Sequence, residues 1–86
     1  MDMMHSEVSA HKGNRIRVTL NMAANVRLMD YANFVSYRNG QPHRCYGGHT
    51  RTSPVDIVVP YSGNWHVVID LGGGSGFLKA SVNVLR

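Results

Sequence analysis

The feature that most constrains this fold is a strict alternation of apolar residues in two neighbouring runs, residues 55–61 and residues 65–71. A period of two is typical of β-strands with one buried face. The three residues between the runs, Ser62-Gly63-Asn64, have the composition of a tight turn. A two-residue turn would place the two apolar sets on opposite faces, whereas a three-residue loop places them on one face, so we predict a hairpin with the longer loop. In this register the cross-strand pairs are Tyr61 with Trp65, Val59 with Val67, Ile57 with Ile69 and Val55 with Leu71.

Similar alternations predict the other strands. They occur in residues 15–21, 24–29 and 77–86, and more weakly in residues 1–10, which is typical of an edge strand. A short extended piece is expected at residues 43–46, closed by Gly47 and Gly48, with a polar linker at residues 49–52. The residues expected to point inward are Ile16, Val18, Leu20, Ala24, Val26, Leu28, Leu78, Ala80, Val82 and Val84.

Six or seven short strands without a long helix predict an all-β fold, either a small antiparallel β-sandwich or a partly open barrel. At most one short helical segment is expected near residues 30–38, where Asp30 is a candidate N-cap and the aromatic residues have roughly helical spacing. The alternative for this segment is a loop held down by its aromatic side chains.

Length and composition narrow the class of protein. Eighty-six residues predict one domain over residues 1–86 with a modest core. The single Cys45 excludes an internal disulfide, which favours a reducing compartment such as the cytoplasm. No apolar run approaches the ~20 residues of a membrane span, so we predict a soluble, cytoplasmic protein that does not bind membranes. The net charge is +4. Most of the positive charge lies in residues 11–51, which favours an anionic partner or, alternatively, a solvated surface.

The best candidate for a binding site is residues 37–48, which combine arginine, histidine, tyrosine and glycine in a predicted loop. Arginine suits phosphate or carboxylate, and tyrosine stacks on planar groups. The alternative is a surface loop whose tyrosines pack on the sheet. The candidate ligand-binding residues are Arg27, Tyr37, Arg38, Asn39, His43, Arg44, Tyr46, Gly47 and Gly48.

Three other groupings suggest chemistry less strongly. His43, Cys45 and His49 are close in sequence but lack a fourth metal ligand at any standard spacing, so a spare thiol is the simpler interpretation and no metal is predicted. Cys45 as a nucleophile would lack an oxyanion site, and no catalytic residue is predicted. The outward arginines of residues 15–17 and 24–29 could share a face, yet no aromatic residues alternate with them, which disfavours nucleic acid.

Asp56 and Asp70 are expected to lie outward and near each other on the predicted hairpin, as solvated charges rather than an acid–base pair. The glycine-rich residues 72–76 lack the lysine and the serine or threonine of a phosphate-binding loop, so we predict a flexible turn there. No cofactor is predicted.

Several short motifs together resemble the family described as domain of unknown function 1883, a family of short bacterial domains. They extend over nearly the whole chain. The resemblance implies a compact, mainly β fold that occurs alone or beside a Toll/interleukin-receptor-like domain, and such neighbours suggest a sensing or adaptor role. It implies no catalytic residues. The motifs are residues 24–30 (Ala-Asn-Val-Arg-Leu-Met-Asp), 37–40 (Tyr-Arg-Asn-Gly), 46–48 (Tyr-Gly-Gly), 53–55 (Ser-Pro-Val), Trp65, and 70–73 (Asp-Leu-Gly-Gly).

These observations predict a non-catalytic binding or sensing module for a small anionic or nucleotide-like ligand. The alternative is a protein-interaction or homo-oligomerisation module that assembles through an exposed strand edge or an apolar patch. An enzyme ranks third.

Overall fold

The computed structural model describes residues 3–72, 74 and 76–86, and over these residues it has seven strands and one helix. The strands form two antiparallel sheets, in the orders β1-β6-β3-β4 and β5-β2-β7. The predicted all-β sandwich is therefore confirmed. The elements are β1 (Met3–Ala10), β2 (Arg15–Leu20), β3 (Ala24–Met29), α1 (Tyr31–Arg38), β4 (Tyr46–Thr50), β5 (Val55–Val58), β6 (Gly63–Asp70) and β7 (Ala80–Leu85).

The core lies between the two sheets. The inward residues of β2 and β3 are buried, and those of β7 pack against them with the preceding Leu78, as the alternation predicted. β1 is an edge strand of the four-stranded sheet, also as predicted. The largest fully buried side chain is Trp65, which is 1% exposed.

The predicted hairpin between residues 55–61 and residues 65–71 is wrong. β5 pairs with β2, with Ile57 opposite Ile16, whereas β6 lies in the other sheet between β1 and β3. The two apolar sets face each other across the core instead of lying side by side in one sheet. Alternation reports only that each strand has one buried face, and a sandwich satisfies that condition as well as a hairpin does.

The chain leaves the three-stranded sheet directly after β5. Val59 N–H donates to the carbonyl of Asn14, and its carbonyl accepts from Gly13 N–H. Pro60 has no N–H to continue a strand ladder. These contacts position residues 60–62 to cross from one sheet to the other, so that Tyr61 lies against Trp65 with 4.7 Å between the ring centroids, although not as a strand pair.

Tyr31–Arg38 form a helix of two turns rather than a loop. The Oδ1 atom of Asp30 accepts from Asn33 N–H at 2.9 Å, which confirms the predicted N-cap. After Arg38 the chain turns at Gly40, whose φ is +72°. The eight residues of α1 are too few to span a bilayer, and no helix in the described part of the chain could do so.

Several element boundaries differ from the predictions, including those of β4 and β7. β4 begins at Tyr46, so the extended piece at 43–46 is not a strand, and His49 and Thr50 belong to β4 rather than to a linker. β7 begins only at Ala80. Of the glycine-rich turn predicted at 72–76, Gly73 and Ser75 lie outside the described residues.

Helix α1 covers the outer face of the four-stranded sheet. Phe34 is 4% exposed and packs with Met29 of β3 and Val68 of β6, and Tyr37 lies beside them. The four-stranded sheet therefore has an apolar core on one side and a helix on the other. The helix buries His66 and Val68 on the outer face of β6, where residues 65–70 are all buried.

Candidate functional site

Residues 39–45, here called the basic loop, connect α1 to β4 and fold back along the helix. Asn33 Oδ1 on the helix accepts from the backbone N–H of Arg44 at 2.8 Å. Gln41 N–H donates to the carbonyl of Ser36 at 2.8 Å. These contacts place the predicted loop residues beside the helix and the start of β4.

Tyr37 contacts two of the other predicted site residues, Arg27 and His43. Its ring lies 5.8 Å from the guanidinium carbon of Arg27, on the neighbouring strand β3. The ring of His43 meets it edge-on, with 5.1 Å between the centroids. Tyr37 is half-buried, so this tyrosine packs against the sheet and also contacts the loop.

Arg27 is held by a buried carboxylate. Asp70 is 2% exposed, and its Oδ2 accepts from Arg27 Nη1 at 2.6 Å. The Oδ1 atom accepts from the side-chain amide of Asn25 and from Gly72 N–H. Burial alone would raise the pKa of Asp70, but these hydrogen bonds and the charge of Arg27 together hold it below its ordinary value. Asp70 was predicted to be outward and solvated, which is wrong because its carboxylate is buried among Arg27, Asn25 and Gly72.

Asp56 lies in the other sheet, so the predicted proximity of Asp56 and Asp70 is also wrong. Its carboxylate accepts two hydrogen bonds from Arg17, at 2.8 and 3.0 Å, and lies 3.6 Å from Arg15. The hydrogen bond from Arg17 lowers the pKa of Asp56. Because β2 and β3 belong to different sheets, Arg15 and Arg17 do not share a face with Arg27.

Arg38 and Arg44 differ from these paired arginines. Both are exposed, and neither forms a salt bridge within the described residues. Arg38 is the last residue of α1, with its guanidinium carbon 5.4 Å from the centroid of Phe34, whereas Arg44 lies in the basic loop.

The remaining predicted residues lie at the helix end and on β4. Asn39 caps the C-terminus of α1. Tyr46 is 46% exposed and meets Trp65 edge-on at 6.0 Å. Gly47 lies opposite Arg27 at a φ of +102°, and a Cβ there would collide with the carbonyl oxygen of Val26, so only glycine fits. Gly48 follows it on the same strand.

Sequence reasoning missed a histidine pair beneath α1. His66 is 4% exposed, and its Nδ1 lies 2.8 Å from Nε2 of His5. Phe34 stacks on both rings, 4.5 Å from His66 and 4.3 Å from His5. The signal that could have found this pair is Val68, an apolar residue on the supposedly solvated side of β6, together with the helical spacing of Phe34 and Tyr37.

A second hydrogen bond ties the N-cap of α1 to the crossing segment between the sheets. The hydroxyl of Tyr61 donates to Asp30 Oδ2 at 2.6 Å, which raises the pKa of Tyr61 to about 12 and lowers that of Asp30. Cys45 is an exposed free thiol in the basic loop. Over residues 3–72, 74 and 76–86, no three or more metal-ligating side chains form a cluster.

The two-sheet fold and its helix-covered outer face define a small all-β sandwich. The profile of the family Domain of unknown function (DUF1883) matches residues 1–86, and the chain belongs to this family, as the sequence motifs indicated. No curated protein and no solved structure matches the chain.

Proposed function

We propose that this protein is a non-catalytic recognition module that binds a small phosphate- or carboxylate-bearing ligand, such as a nucleotide, at the basic loop and the adjoining face of α1. The observation that carries the proposal is the distribution of the charges. Between Asp30 and Asp56 the sequence contains no acidic residue but three arginines, Arg38, Arg44 and Arg51.

The contrast between the two sets of arginines supports this proposal. Arg15, Arg17 and Arg27 lie on strands and each contacts a carboxylate: Arg27 contacts Asp70, and the other two share Asp56. Arg44 is on the basic loop, exposed, and without a salt bridge in the described part of the chain. A guanidinium with free donors beside exposed loop backbone is suited to a bidentate anion contact.

The neighbouring groups add to the attraction for an anion. His43 lies on the same loop, and its ring is exposed. Tyr46, at the start of β4, offers an exposed ring against which a planar group can stack. Asn33 fixes the backbone of Arg44, so a ligand would meet an ordered arginine rather than a freely moving one.

Replacing Arg44 with glutamate should weaken binding of ATP or inorganic pyrophosphate at least tenfold, because the change removes a bidentate contact and adds a repulsive charge. In the parent protein, ligand at ~100 times its dissociation constant should stabilise the fold by about 2.7 kcal/mol. Thermal shift and titration calorimetry measure both effects. The melting temperature of the free variant should be nearly unchanged, because the side chain is exposed.

The matched control is Lys79→Glu, which changes the net charge equally on an exposed residue of the segment leading into β7. Equal weakening by both variants would mean non-specific charge attraction and would contradict a site at the basic loop. An absence of any shift with nucleotides, sugar phosphates and pyrophosphate would refute the proposal altogether.

A second candidate function follows from the edge position of β4. Among the described residues this strand pairs with β3 alone, and Gly47 and Gly48 near its centre carry no side chains of their own. An extended peptide could add to this edge as a further strand. Because the segments flanking β4 carry Arg44 and Arg51 and no carboxylate, the peptide that fits is acidic.

Fluorescence anisotropy separates this second function from the first. A labelled peptide of alternating glutamate and threonine should bind, whereas its lysine–threonine counterpart should not. N-methylation of alternate peptide amides removes donors to the edge and should abolish binding if the peptide pairs with β4. Binding that survives N-methylation, or that free pyrophosphate displaces completely, would argue for the small-anion site instead.

A further inference from the structure

The histidine pair joins β1 to β6 beneath helix α1, with His5 on the exposed edge strand and His66 buried. His5 and His66 are nearly coplanar, with 13° between the ring planes, and Phe34 covers both from the helix side. Nothing in the proposed ligand site requires this arrangement. The pair therefore needs an explanation of its own.

Helix α1 depends on the platform formed by this pair. Isolated helices shorter than about 12–15 residues are marginal in water, and α1 has eight residues, of which only Phe34 is buried. The ring of Phe34 rests on the histidine pair as well as on Met29 and Val68. A change in the positions of the two histidine rings therefore alters the packing of Phe34, which is the buried residue that holds the helix on the sheet.

The 2.8 Å hydrogen bond between Nε2 of His5 and Nδ1 of His66 can form only in some protonation states of the two rings. One imidazole must donate and the other must accept, so a neutral pair or a pair with one added proton keeps the hydrogen bond. A second added proton places two N–H groups and two positive charges face to face. The rings must then separate, and the surface beneath Phe34 is lost.

We propose that His5 and His66 form a pH-sensitive latch, which holds α1 on the sheet at neutral pH and releases it when both rings are protonated. Release would also free Tyr37, Arg38 and Asn33 from their positions, and this consequence for ligand binding rests on the proposed function. The latch itself does not depend on that function.

The burial of His66 makes the doubly protonated state costly. The Nε2 atom of His66 is buried with no hydrogen-bond partner among the described residues, so a proton held there has no acceptor. Burial lowers the pKa of His5, and the charges of His66 and Arg38 lower it further, against the opposing effect of Glu7. The unfolded or undocked state therefore binds protons more readily, and acidification below the ordinary histidine pKa of about 6.5 favours release.

The groups that face the pair come from every element packed against it. From β1 the carboxylate of Glu7 favours protonation, and from α1 the guanidinium of Arg38 opposes it. Asp30, at the N-cap, lies close enough to His66 for an electrostatic interaction, which contributes to the lowered pKa of Asp30. The remaining neighbours, Tyr31 on the helix, Met29 on β3 and Val68 on β6, are uncharged.

Native-state amide hydrogen exchange without any ligand tests the latch, so a failure of the proposed ligand site does not affect the result. Between pH 7.5 and pH 5.0 the protection factors of residues 34–41 should fall at least tenfold, whereas those of β3 and β6 should stay within about twofold. In His5→Gln the fall should disappear, because an amide can donate to or accept from His66 in either of its protonation states.

The control is His49→Gln, which removes a titratable ring on β4 and should retain the pH dependence of the parent protein. Equal protection of α1 at both pH values, or a parallel loss in helix and sheet, would refute the latch. Persistence of the fall in His5→Gln would refute it as well. Because His5 is exposed on an edge strand, this variant should fold.

Discussion

Replacing Trp65 with alanine should lower the free energy of unfolding by about 3–5 kcal/mol, which is the usual cost of removing a large buried aromatic side chain. The indole is 1% exposed and lies in the core between the sheets. Its Nε1 donates to the carbonyl of Tyr61 at 3.0 Å, and the rings of Tyr61 and Tyr46 rest against it. Because small domains have a total stability of this order, chemical denaturation should find the variant largely unfolded at moderate temperature.

The matched control is Phe77→Ala, which removes an aromatic ring that is 92% exposed. Its stability should stay within about 0.5 kcal/mol of the parent. A Trp65→Ala variant that unfolds cooperatively within a few degrees of the parent would contradict the position of Trp65 in the core.

Replacing Asp70 with alanine should cost about 3 kcal/mol, the lower end of the range for breaking a buried ion pair. The carboxylate is 2% exposed, and its loss leaves three donors without an acceptor, on Arg27, Asn25 and Gly72. The cost is at the lower end because the side chain of Arg27 is 26% exposed and can recover contact with water. Urea denaturation at pH 7 measures the difference.

The stabilisation by Asp70 also depends on pH. Because the pKa of Asp70 is lowered in the fold, its contribution is present above the ordinary aspartate pKa of about 3.9 and is lost as the pH falls through the lowered value. Asp70→Ala should therefore lose less stability than the parent between pH 5 and pH 2.

The control for the substitution is Asp56→Ala, whose partners Arg15 and Arg17 remain solvated. Its free energy of unfolding should be much closer to that of the parent. Equal destabilisation by both variants would contradict the special role of the buried carboxylate.

The candidate site could be predicted only in part from the sequence. Residues 37–48 have a composition that marks a surface loop, and Arg44 and Tyr46 are exposed as that composition implies. The sequence could not separate Arg27, which has a buried carboxylate partner, from Arg44, which has none. That difference depends on a diagonal neighbour on the adjacent strand β6, and Asp70 is 43 residues further along the chain than Arg27.

The sequence by itself determined the local structure of this protein: strands with one buried face, a capped helix after Asp30 and an acid-free basic segment. Side-chain alternation, helix capping and charge are properties of neighbouring residues, so they can be read without the fold. Only the tertiary structure decided which strands pair, because alternation fixes the face that a strand buries but not its partner. It also decided that α1 covers the four-stranded sheet. That helix buries His66, and the contact with Arg27 of β3 buries Asp70, so two polar residues on an apparently solvated face become buried groups with partners far away in the chain.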